Sequence, residues 1–252
     1  MTNTFNALRL DRIRETIREP LRLFTERLGA GLADNLKSVT VVGSSLTDDF
    51  RADSSDINTV VILNEHSTAS LRFVASLARP LRKTRVAPPL LVTLSYIERS
   101  RDVFGVEFLD FQLTHETILG DDPFTSLSFE REDVRLQCER ELKAALVRLR
   151  QGYLASGGDA GRVRDLVIEA GKGLVSVTRA MLWLKGVERP RTMAASLHKA
   201  AEQFQVDLRA AAAAGQWRYQ KSRLTPAGIE GVFAAVFAAV DRLTTTIDRF
   251  EL

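Results

Sequence analysis

A chain of 252 residues, 45% hydrophobic and 27% charged, has the length and composition of a soluble globular protein with one large domain or two modest ones. Thirty-five Lys and Arg against 32 Asp and Glu leave a net charge of +3, too small to argue for a nucleic-acid partner, and three His with one Cys, scattered along the chain, form no zinc-type cluster. Cys138 alone excludes an internal disulfide, no apolar run reaches the roughly 18 residues of a membrane span, and the opening MTNTFNALRLDRIRETIREP has no signal-peptide core, so the expected location is the cytoplasm.

Taken in order, residues 5–34 carry Leu8, Ile13, Ile17, Leu21, Phe24 and Leu28 at near-helical spacing. This predicts an amphipathic helix that Pro20 breaks or kinks and that stops at Gly29 or Gly31. Val39–Val42 and Thr59–Leu63 read as buried strands. Ser67–Arg82 reads as a helix capped by Ser67 or Ser70. Pro88 and Pro89 bar a helix, Leu90–Tyr96 and Val106–Leu113 read as a third and a fourth strand, and Gly120-Asp121-Asp122-Pro123 is a turn. From about Asp133 the pattern turns helical: 133–155, 159–186, Thr192–Phe204, Asp207–Ala214, and a last helix opened by Thr225-Pro226. That last helix is apolar over much of its surface and is expected at the centre of a bundle. Trp217 with Arg218, Tyr219 and Lys221 reads as an aromatic plug of the bundle, or as a stacking surface for a base or sugar.

The stretch SVTVVGSSLTDDFRADSSDINTVVIL, Ser38–Leu63, carries the chemistry. Strand alternation puts Asp56 and Asn58 on one face with Ile57 in the core. Two oxygen ligands leaving a strand together suit Mg²⁺, which fills its remaining octahedral positions with water and phosphate. Upstream, Gly43 lets the backbone approach a phosphate and Ser44 offers a hydroxyl and an N–H. Asp48, Asp49 and Asp53 read as solvated loop acids.

Gly43-Ser44, eleven further residues, then Asp56-Ile57-Asn58 between two apolar strands resembles the signature of the polymerase-beta-type nucleotidyltransferase superfamily. Residues 102–110 and 118–123 are similar to bacterial members, and the helical remainder resembles the kanamycin-nucleotidyltransferase arrangement. The resemblance implies an α+β fold. Residues 1–128 would be a nucleotidyltransferase-type mixed sheet flanked by helices, and residues 129–252 a C-terminal helical bundle domain.

It also implies Mg²⁺ and an NTP donor, ATP by expectation, whose nucleoside monophosphate passes to a hydroxyl acceptor. Gly43, Ser44, Ser45 and Ser55 would hold the nucleotide, and Asp56, Asn58 and Asp110 the metal. Asp56 with Asp110 or Glu107 would be catalytic. If 106–113 is a strand, Asp110 shares a face with Gln112 and Thr114, while Glu107 lies among apolar residues; both stay open as the third acid. The departure is Asn58, an uncharged amide where the family's motif has a second carboxylate. It opens two rival readings: a binding module without chemistry, and an oligomeric or toxin–antitoxin-type partner that packs through the final helix. Arg191 and His198 also resemble the loose Arg-His pattern of HEPN ribonucleases, a spacing common in any Arg-rich helix. The acceptor is not legible, and a homo-oligomer would form through the helical domain.

Overall fold

The computed structural model describes residues 8–81, 83–217 and 224–252. The described residues form two compact units, one within 8–101 and 111–128, the other within 102–110 and 129–252.

The first unit holds a four-stranded sheet of order β3-β2-β1-β4: β1 Leu36–Val42, β2 Asn58–Leu63, β3 Leu90–Thr93 and β4 His115–Leu119. β1 is antiparallel to β2 and to β4, while β2 and β3 run parallel, so the sheet is mixed. Period-two alternation turns Val39, Val41, Val61 and Leu63 toward the helix α1, Glu15–Leu32, where they join Ile17, Leu21, Phe24 and Leu28 in one apolar core. On the opposite face the Thr40 and Thr117 hydroxyls hydrogen-bond at 2.9 Å.

α1 runs through Pro20, where the sequence predicted a break. Proline removes one N–H, and the buried stripe on either side outweighs that single loss. The helix also passes the expected stops at Gly29 and Gly31 and ends at Leu32. Gly31 has another use: a Cβ there would collide with the ring of Phe73 on the helix α2, Thr68–Ser76. α2 is capped as expected, with the Ser67 hydroxyl accepting the Ser70 N–H at 3.0 Å. The helix predicted over Ser67–Arg82 is divided at Leu77, the short α3, Ala78–Leu81, following; Arg82 lies outside the described residues.

Two strand predictions are corrected. β3 stops at Thr93, because the Thr93 hydroxyl accepts the Tyr96 N–H at 3.1 Å and so caps a helix, α4, Leu94–Arg99. The run Val106–Leu113 is helix α5, Gly105–Leu113, and the fourth strand is His115–Leu119 instead. The apolar residues of VEFLDFQL fit period two as well as helical spacing; burial of Val106 and Leu109, three apart, shows which one the chain uses.

The second unit is helical. α6 is Arg131–Ser156, α7 Ala160–Leu184, α8 Met193–Phe204, α9 Arg209–Trp217 and α10 Pro226–Asp248. α10 opens as predicted, with the Thr225 hydroxyl accepting the Gly228 N–H at 3.1 Å and Pro226 in the first turn. The central helix is α7 rather than α10: α7 packs against α6, α8, α9 and α10. Gly171 makes this possible, since a Cβ there would stand 3.0 Å from the Ala211 carbonyl oxygen on α9. Among the described residues no helix is long and apolar enough to cross a membrane.

Two glycine-to-alanine changes in helices have opposite expected signs. Gly31→Ala forces Phe73 to move and costs about 1–3 kcal/mol. Gly173→Ala meets nothing within 4 Å and gains about 0.5–1 kcal/mol by lowering backbone entropy loss. Urea unfolding midpoints of the two variants, shifted in opposite directions from the parent, check both.

Candidate functional site

The register of the central strands assembles the mouth of the sheet. Val42, the last residue of β1, pairs with Asn58 on one side and His115 on the other, so all three share a face. The next residue is Gly43 at φ 79°, a conformation that strains any residue with a Cβ. Its N–H donates to the Thr114 carbonyl at 3.1 Å, and a Cβ built on it would lie 3.9 Å from Asn58 Nδ2. Gly43–Leu46 then turns as a single 3₁₀ segment. The Gly-Ser turn and the Asp56–Asn58 mouth, thirteen residues apart from Ser44 to Ile57, are thereby brought to one end of the sheet.

Ser44 is half-buried and its hydroxyl is uncommitted among the described residues, while its carbonyl accepts the Thr47 N–H at 3.0 Å. Ser45 is buried, and its hydroxyl oxygen has no hydrogen-bond partner; those of Thr59 and Thr114 are likewise orphaned. Orphaned buried hydroxyls are rare, because each forfeits its solvation without replacement. Of the three, Ser45 lies in the Gly43–Leu46 turn itself, while Thr59 alternates onto the α1-facing side of β2 with Val61. Ser55 is employed differently: its hydroxyl accepts the Arg51 N–H at 3.0 Å and closes the 51–55 turn.

Ile57 lies in the core, bridged to Val86, with Asp56 and Asn58 exposed on either side of it. Asp56 also lines a cavity of about 960 Å³ with Lys83 and Arg85. Among the described residues no three His, Cys, Asp or Glu side chains gather as a metal-holding group. The mouth itself offers one carboxylate and one amide oxygen. That hard-oxygen pair fits a Mg²⁺ arriving with nucleotide phosphates and water rather than a closed cage of protein ligands.

Glu107 and Asp110 stand on helix α5, three residues apart, so the alternation argument for choosing between them does not apply. Asp110 is the acid of an ion-paired network in the helical unit. Arg179 donates to it at 2.7 Å and the Ser176 hydroxyl at 3.3 Å. Arg179, buried on α7, also donates to the carbonyls of Pro190 and Arg191 and to the Ser196 hydroxyl. Arg189 donates to the Leu109 carbonyl at 2.9 Å; burial first, and the neighbouring Arg179 charge, lower its pKa against the pull of Asp110. Glu107 is half-buried and accepts from Gln137 Nε2 at 2.6 Å; Gln137 in turn accepts the Val106 N–H.

The sequence reading passed over a second polar site. His115 Nδ1 faces the carbonyls of Phe111 and Gln112, and Nε2 faces Asp122 Oδ2 at 2.9 Å. Asp122 accepts as well from the Phe124 N–H at 2.8 Å and from the Thr125 hydroxyl. Burial raises the Asp122 pKa, but the bonds from Thr125, His115 and Phe124 outweigh it and hold the carboxyl at about 2, below the ordinary 3.8. The signal in the sequence is Asp122 itself, which stands both in the 120–123 turn and in the 118–123 stretch similar to bacterial members, with no role attached to it there. Of the HEPN-like pair, Arg191 lends its carbonyl to Arg179, and His198 is exposed beside Glu202 at 3.2 Å. Trp217 is buried, while Arg218, Tyr219 and Lys221 lie outside the described residues.

No family model and no curated protein matches the chain. Among solved structures it is similar to the spectinomycin adenyltransferase AAD(9) from Enterococcus faecialis, crystallised with ATP and spectinomycin. The TM-score is 0.57 at 11% identity, over 92% of this chain and 99% of that one. At that identity the likeness shows the fold alone: α+β, with a mixed four-stranded sheet and a C-terminal helical region.

The depressed Asp122 pKa makes a stability prediction. A folded value below the unfolded one contributes stability that is present above about pH 4 and lost as pH falls toward about 2. Asp122→Asn should lose about 1–2 kcal/mol at neutral pH and show a smaller drop over that acid window than the parent. Urea midpoints measured from about pH 6 down to about pH 2 test it; parallel curves contradict it.

Proposed function

We propose that this chain binds an NTP, ATP in the first instance, together with Mg²⁺, and transfers its nucleoside monophosphate to a hydroxyl of an acceptor. The observation that carries the reading is the meeting of the Gly43 turn, with the orphaned Ser45 hydroxyl, and the Asp56–Asn58 strand mouth at one end of the sheet. A fold shared with an adenyltransferase that was solved with ATP supports it.

The N–H groups of residues 43–46 and the Ser44 hydroxyl donate to phosphate oxygens, with Ser55 holding the loop behind them. Asp56, assisted by the amide oxygen of Asn58, holds Mg²⁺, which when bound supplies positive charge against the phosphates and the departing pyrophosphate. In the transfer, the acceptor oxygen forms a bond to the α-phosphorus as the bond from that phosphorus to the β-phosphate's bridging oxygen breaks. Pyrophosphate leaves with the electron pair, and the acceptor's proton goes to a carboxylate. Within the helical unit, Asp110 is ion-paired with Arg179 and Glu107 accepts from Gln137 Nε2.

One residue favours a second reading, nucleotide binding with little or no turnover. Asn58 removes one negative charge where paired cations need anionic ligands, and charge is what holds a second ion. The two readings separate on one substitution. Asn58→Asp raises Mg²⁺ affinity under both, but produces transfer from none only under the second.

With α-labelled ATP and a panel of small hydroxylated acceptors, the parent should transfer label in a Mg²⁺-dependent way. Asp56→Ala should abolish the transfer. Label transfer that survives Asp56→Ala would overturn the assignment.

A further inference from the structure

The cavity that Asp56 borders is larger than a nucleotide-phosphate turn requires and has a different chemistry. At about 960 Å³ it lies at the upper end of small-molecule sites, roughly 300–1,000 Å³. It belongs wholly to the strand-bearing unit. Its walls are aliphatic: Leu71 and Val74 from α2, Leu81 from α3, Leu91 from β3, with Pro88 and Pro89 beside them. Leu71 is 53% exposed, an apolar side chain left at the rim of an apolar space.

The polar groups gather at one end, and the backbone shows why. The Ile57 N–H donates to the Arg85 carbonyl at 2.8 Å and the Ala87 N–H to the Ile57 carbonyl at 3.0 Å, so the 83–87 segment is sewn to the strand beside Asp56. Arg85 sits at φ 60°, a conformation uncommon outside glycine, which the bridge between Ile57 and Val86 holds in place. Its guanidinium donates to the Asp53 carbonyl. Lys83 is exposed and has no carboxylate partner among the described residues. Among the described lining residues two cations, Lys83 and Arg85, share this end with one anion, Asp56, and the surplus is positive.

We propose that this cavity binds a soluble amphipathic anion, with an aliphatic body against Leu71, Val74, Leu81 and Leu91 and an anionic head between Lys83 and Arg85. The volume, open to solvent on the side of Leu71, Lys83 and Arg85, suits a single small molecule. Apolar walls supply the affinity by removing hydrocarbon from water, while Lys83 supplies the selection for charge. The site needs no nucleotide, so it stands or falls separately from the transfer reaction.

Calorimetric titration of the full chain with decanoate, decanol and decyltrimethylammonium, without nucleotide or metal, tests it. Decanoate should bind saturably and at least about tenfold more tightly than decyltrimethylammonium, with decanol between them. Ala78→Trp, which puts a ring into the cavity from its exposed α3 position, should abolish binding of all three. Lys83→Glu should weaken decanoate by about tenfold and leave decanol within about twofold. Urea midpoints equal to the parent's show that each variant is folded. Absence of saturable binding by any probe overturns the proposal. So does a preference for the cation, or decanoate binding unchanged in the folded Ala78→Trp variant.

Discussion

The pairing of Val42 with Asn58 is the constraint on which the rest of this molecule depends. It is a register, fixed by which residues alternate into the core against α1, and a slip of β2 by one residue would turn Val61 and Leu63 out of it. Burial thus enforces a functional geometry at no separate cost. Holding four apolar residues inward places the end of β1 beside the start of β2, and with them a glycine turn beside a polar strand mouth. His115 is carried to the same row from the other side of β1, where Asp122 and two backbone carbonyls hold its ring.

The acids divide their labour according to surroundings rather than residue type. Asp56 is exposed at the strand mouth, beside Lys83 and Arg85 on the rim of the cavity. Asp110 is tied to a buried guanidinium that would be left uncompensated without it, so its charge belongs to the helical unit's stability. Arg179 extends that tie to the carbonyls after α7 and to Ser196 on α8, which makes one ion pair the fastener of several segments. Asn58 leaves the pair Asp56–Asn58 with a single formal charge, one fewer than two carboxylates would bring.

Much of the fold was legible because its signals are local. The β-branched runs at Val39–Val42 and Thr59–Leu63, the Ser67 cap and the Thr225-Pro226 start all act through neighbours in sequence, and all stand where the pattern put them. The misreadings came where one pattern satisfied two periods or where a cap intervened. VEFLDFQL alternates as well as it spirals, and Thr93 ends a strand by satisfying a helix's first amides. Pro20 and Gly31 misled for the complementary reason: a strong buried stripe overrides a breaker, and a glycine required by a neighbouring ring resembles a stop. The turn and strand mouth were legible as a motif. The cavity beside Asp56 was not, since its walls come from α2, α3, β3 and the segment after α3, and nothing in the spacing of Leu71 and Leu91 announces that they face one space.

The central claim is that the strand mouth and the Gly43 turn together hold a nucleotide with its metal. Calorimetric titration with a non-hydrolysable ATP analogue, with Mg²⁺ and then with EDTA, on the parent and on Asp56→Asn, tests it most directly. Saturable binding by the parent that needs Mg²⁺ and is weakened at least about tenfold in Asp56→Asn is the predicted result. Binding that is absent from the parent, or indifferent to both EDTA and the substitution, would contradict the account.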